Sequence, residues 1–149
     1  MKNDYYEIAI NNLRYLEVTL HTPYYNEISV GAQQVVEKML KSVLEQLVPA
    51  TDAGKDKLMH SHNLRALYDK IHELDSTFNL DRRGLSMLKD YYYDAKYPGD
   101  SFITVTKDEC TENVEIMYDA VDAVNAFRKR NGLEVIGVKR QELKSMNCF

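Results

Sequence analysis

One stretch limits the possible folds more than any other. Between residues 26 and 48, Ile28, Ala32, Val35, Val36, Met39, Leu40, Val43, Leu44 and Leu47 recur at three- and four-residue intervals. That period is helical, and the apolar stripe is wide enough to predict a helix at the centre of a bundle. Pro49 and Thr51-Asp52-Ala53-Gly54 end it in a loop. Residues 4–21 carry Ala9, Leu13, Leu16 and Leu20 on one face, which predicts a helix stopping before Thr22-Pro23. A third helix is expected to start near Ser61–Asn63, where small polar side chains cap free amides, and to bury Leu64, Leu67, Tyr68, Ile71 and Leu74. A fourth is predicted over about 83–96, ended by Tyr97-Pro98-Gly99-Asp100. Residues 101–105 read as extended, and Thr106–Glu109 as a capping box opening a fifth helix that runs from about 109 to 130 and closes at Gly132. No internal repeat is present, and only Leu133–Val138 has strand-like composition. The reading is an all-α, up-and-down bundle of about five helices over residues 1–132. A basic tail, 133–149, is left open between a short extra element and disorder.

Composition excludes more than it assigns. The 149 residues carry a net charge of −4, which argues against a generally basic nucleic-acid coat protein. No run approaches the roughly 20 apolar residues of a membrane span, and the polar first residues lack a signal-peptide core, so a cytoplasmic protein is expected. Two cysteines, Cys110 and Cys148, make no disulfide framework and no zinc spacing. His60-Ser61-His62 lacks a third ligand, so neither metal nor cofactor is expected. Charge is uneven. Residues 101–127 hold six acids against Lys107, and residues 128–149 hold six cations against Glu134 and Glu142. The tail is either a solvated end or a phosphate-seeking one.

The least ordinary stretch is Tyr91-Tyr92-Tyr93-Asp94-Ala95-Lys96-Tyr97-Pro98. Three consecutive helical tyrosines span about 200°, so they cannot all enter one core. A stacking ring beside a lysine suits a nucleotide or single-stranded RNA, and equally a packed edge or a dimer interface.

Three blocks in order resemble the HEPN domains of bacteria and archaea. Gly31-Ala32-Gln33-Gln34-Val35-Val36-Glu37-Lys38-Met39-Leu40-Lys41 is similar to the family's Ala-Gln-Gln-Ala-Ala-Glu-Lys-x-Leu-Lys helix. His60-Ser61-His62-Asn63-Leu64 resembles its Lys-Thr-His-Asp-Leu helix start, and Tyr91 to Pro98 its Tyr-Tyr-x-x-Ala-Arg-Tyr-Pro signature. The resemblance implies a five-helix bundle, homodimers, and work around nucleotides and RNA. Family members include metal-independent ribonuclease toxins, companions of a minimal nucleotidyltransferase in toxin–antitoxin-like pairs, and binding modules. Carried over position by position, it points to Glu37, Lys38, His62, Tyr93, Lys96 and Tyr97 as nucleotide- or RNA-binding residues. Lys96 stands where the family has arginine, which keeps the charge and loses bidentate phosphate recognition.

The ribonuclease members use Arg-x4-6-His, an arginine stabilising phosphorane-like charge while a histidine moves a proton. Here Arg14…His21 and Arg65…His72 match the bare spacing, yet neither lies at the family position, and no histidine follows Lys96 within reach. The expectation is therefore a non-catalytic homodimer that binds a nucleotide or RNA, or partners a nucleotidyltransferase. The alternatives are a ribonuclease toxin using Arg65 and His72 or Arg14 and His21, or a pure interaction module. Glu37 and Lys38 are expected as a polar patch beside the core stripe, and His62 either as a ligand contact or bonded to a backbone carbonyl across the bundle.

Overall fold

A computed structural model describes residues 4–94, 98–99 and 102–144. Six helices lie among them: α1 Tyr5–Val18, α2 Tyr25–Leu47, α3 Lys55–Met59, α4 Leu64–Leu74, α5 Arg82–Asp94 and α6 Lys107–Arg130. No strand occurs among the described residues. The all-α bundle is as expected, with one short helix added.

The helix ends follow local chemistry. Asp4 accepts from the Glu7 amide and Asn63 from the Ala66 amide, each satisfying a free donor of a first turn. α6 opens on a complete capping box: Thr106 accepts from the Glu109 amide, and Glu109 reaches back to the Thr106 amide. α1 stops at Val18, three residues before the expected end. The Thr19 and Thr22 hydroxyls donate to the carbonyls of Leu16 and Thr19, turning the chain toward Pro23. α3 had no sequence signal, because Lys-Asp-Lys-Leu-Met is one turn with no period to read.

α2 is the axis. Fourteen of its 23 residues are buried, more than one face holds, and it packs against α1, α4, α5 and α6. Leu16 meets Gly31 and Asn12 meets Lys38, so α1 and α2 are antiparallel. The Gly31 position lets them close: a Cβ there would stand 2.7 Å from Leu16 Cδ1. Glu17 with Tyr118 and Tyr6 with Asn125 make α1 antiparallel to α6 as well. Asp69 with Arg82 and Arg65 with Ser86 set α5 antiparallel to α4, and Gly84 with Ile116 and Tyr91 with Glu109 set it antiparallel to α6. Hence α2, α4 and α6 run the same way. Strict alternation is interrupted once, where residues 48–63, with α3 inside, carry the chain back to start α4 beside the middle of α2.

Residues 133–144 form neither helix nor strand but an extended strap along α6 and α1. Gly132 makes the turn at φ 69°. Tyr6 is the main anchor: its hydroxyl accepts from the Ile136 amide (2.8 Å) and donates to Asn125, whose Nδ2 donates to the Ile136 carbonyl. Arg128 stacks 3.7 Å over the Tyr6 ring and donates to the Glu134 carbonyl. Arg140 bridges Asp119 and Asp122, and the Lys144 amide donates to the Leu20 carbonyl. Of the six cations in residues 128–149, Arg128, Arg130 (3.7 Å from Asp75) and Arg140 are thus engaged with the protein itself.

Candidate functional site

The unusual feature of α2 is polar. Ser29, Gln33, Glu37 and Lys41 follow one another at intervals of four, so they share one face, and all four are buried. A buried charge is stable only when paired and hydrogen-bonded. Glu37 meets that need with three donors: Gln33 Nε2 (3.2 Å), Lys41 Nζ (3.2 Å) and His62 Nδ1 (2.8 Å). Glu37 therefore lies inside the bundle, in a buried polar row beside the apolar stripe. Only 7% of it is exposed.

His62 precedes α4 and reaches back to α2, which is why the chain must return along α2 before α4 begins. Its Nδ1 partner is the Glu37 side-chain carboxylate. An ionised carboxylate has no proton to give, so the ring donates from Nδ1. The side chain is 44% exposed. A buried anion thus holds an imidazole at the surface in one orientation.

The polar face continues toward the N-terminal end of α2. Asn113 of α6 donates to Ser29, and Tyr91 of α5, itself buried, donates to Glu109. Burial, first, pushes the Tyr91 hydroxyl above its usual range, against its bond with Asn113. Asn26 pins residues 103–105 through the Ile103 carbonyl and the Val105 amide. Gln33 Oε1 is the one buried side-chain acceptor without a hydrogen-bond partner among the described residues. Lys38 lies outside the cluster and donates to Asn12 on α1; burial depresses its ammonium, with Lys41 acting in the same direction and Glu37 opposing.

Of the six predicted binding residues, Glu37 and His62 are brought together and Lys38 is turned toward α1. Lys96 and Tyr97 lie outside the described residues, as does the side chain of Tyr93. The polar partners Gln33, Lys41 and Asn113 were not singled out from sequence. A run of polar residues four apart inside an apolar stripe was the signal for the first two.

The Arg-x6-His pairs are placed differently from each other. His21 follows the end of α1, so Arg14 and His21 no longer share a helical face. Arg65 and His72 remain on α4, two turns apart. Arg65 reaches Ser86 at 3.5 Å, while His72 Nδ1 donates to the Phe78 carbonyl at 2.9 Å. Each is engaged with a different neighbour. Among the described residues no group of three His, Cys, Asp or Glu is placed to hold a metal ion, and no helix is long and apolar enough to cross a membrane.

No curated protein and no solved structure gives a match to this chain. A family model does: the one described as HEPN domain matches residues 3–127. That span runs from the start of α1 almost to the end of α6 and contains the whole Gln33–Glu37–His62 cluster, and by it the chain belongs to the HEPN domain family.

Proposed function

We propose that this HEPN domain is a nucleotide- or RNA-binding module, working as a homodimer, and not a nuclease in its own right. The observation that carries the reading is the His62–Glu37 pair. An imidazole oriented by a buried carboxylate is a pre-organised partner for a phosphate oxygen or a base edge, because little side-chain freedom remains to be lost on binding. It stands at the family's helix-start histidine, one helix away from the Tyr91–Pro98 signature. The absence of a family-position Arg-x4-6-His pair in the sequence, and the separate engagements of Arg65 and His72, favour binding over cleavage.

A carboxylate-oriented imidazole is also the arrangement of a general base. The test must therefore read binding and cleavage together. Purified protein, tagged and recovered from its own cell extract, is expected to retain RNA or a nucleotide. His62→Ala should release it while the fold, read by circular dichroism, is kept. Capture of a nucleotidyltransferase with no nucleic acid would replace this reading with the companion role. RNA cleavage lost in His62→Ala or Lys96→Ala would overturn the non-catalytic part.

A further inference from the structure

A cavity lies away from the His62 cluster, at the end of the bundle where α1 turns into α2. It encloses about 460 Å3, within the size range of small-ligand sites. Leu16 and Ile28 supply apolar lining beside the close approach at Gly31. Two tyrosines also line it, Tyr15 and Tyr24, 76% and 64% exposed. Two large rings thus stand exposed on one cavity, each with a stacking face to offer a ligand.

The polar lining is mixed: the Asn12 and Gln34 amides can donate as well as accept, while the threonines and the carboxylate are acceptor in character. The Thr19 and Thr22 hydroxyls have given their protons to backbone carbonyls, so each offers the cavity only lone pairs. Glu27 is the single charged side chain in the lining, and it forms no ion pair among the described residues. Its place in the first turn of α2 suits the helix dipole, but the dipole explains neither the cavity nor the two tyrosines. One carboxylate with no cationic side chain in the lining, and aromatic rings around an apolar base, favour a cation over an anion.

We propose that this cavity binds an ammonium or guanidinium group carried on an apolar stem, with the cation at Glu27 between Tyr15 and Tyr24 and the stem on Leu16 and Ile28. The cation comes either from a free amine or from a lysine or arginine side chain of a protein partner. Glu27 and Glu37 are ten residues apart, about 15 Å along α2, and the two sites select ligands of opposite charge. The proposal is independent of the nucleotide-or-RNA reading.

Amide-resolved NMR titration of the full chain tests it. The probes are phenethylamine, its neutral counterpart phenethyl alcohol, and the capped peptide Leu-Arg-Leu. Phenethylamine and the peptide should shift amides of residues 15–31, with the alcohol weaker by about tenfold or more. In Glu27→Gln the amine and the alcohol should bind alike, and Tyr15→Ala should weaken the cations more than the alcohol. A peptide tighter than the free amine assigns the site to a protein partner, and the reverse order to a small amine. Equal binding of amine and alcohol by the unaltered chain overturns the proposal. So do unchanged amine binding in Glu27→Gln, shifts confined to other residues, or a dimer that buries Tyr15 and Tyr24 before any probe is added.

Discussion

Glu37 shows why a residue's neighbours matter more than its type. Its carboxylate and the Lys41 ammonium are both buried and 3.2 Å apart, so removing one strands the other in a poorly solvating interior. Glu37→Ala is expected to lower unfolding free energy by about 3–5 kcal/mol, and Glu37→Ala with Lys41→Ala to recover part of that loss, both read from urea unfolding. Glu37 was legible in the sequence as polar and as part of a family block. Its burial was not, because spacing places a residue on a helical face but does not say what covers that face. Cys110 poses the same problem with a plainer outcome. It is wholly buried, and burial pushes its thiol up to about 11. In a Cys148→Ser background, Cys110 should resist iodoacetamide at pH 8 and react at the ordinary thiol rate once urea unfolds the protein.

At the scale of the element, α6 was the most legible helix. Thr106 and Glu109 are three apart in sequence and bond each other in space, so local spacing carries the whole signal. Hydrogen bonds from the Thr106 side chain, then its backbone, hold the Glu109 carboxyl below its usual range. The depressed folded value means this contribution is complete above the unfolded glutamate value, near about 4.3, and is lost as pH falls through the lower folded value. Wild type should therefore lose more of its stability on acidification through that window than Glu109→Gln does. Thr106→Ala should cost about 1 kcal/mol at neutral pH. α3 and the strap were illegible for opposite reasons. α3 is too short for a period to show. The strap is held by contacts distant in sequence, Tyr6 to Ile136 above all, which no local pattern announces.

Across the whole molecule, the strap ties the far end of α6 back to the α1–α2 turn. Tyr6→Phe would leave the Ile136 amide and Asn125 Oδ1 without their partner, a cost of about 1–3 kcal/mol. Deleting residues 133–149 should lower Tm further, because Leu133, Ile136, Val138 and Leu143 all pack on the core. A truncated protein melting at the wild-type temperature would show that the strap contributes nothing to the bundle. The bundle itself was readable because apolar period and breakers agree along most of the chain. The return of residues 48–63, which sets His62 on Glu37, depends on how the helices pack together and could be seen only in three dimensions.

The role proposed for the His62–Glu37 pair is to bind nucleic acid or nucleotide without cutting it. The most direct measurement titrates the protein into a fluorescently labelled single-stranded RNA, reads anisotropy, and runs the same samples on a denaturing gel, with ATP as competitor. The proposed role predicts saturable binding, intact RNA, and binding weakened by about tenfold or more in His62→Ala. RNA cut by the wild type and spared by His62→Ala would contradict it, as would binding that His62→Ala leaves unchanged.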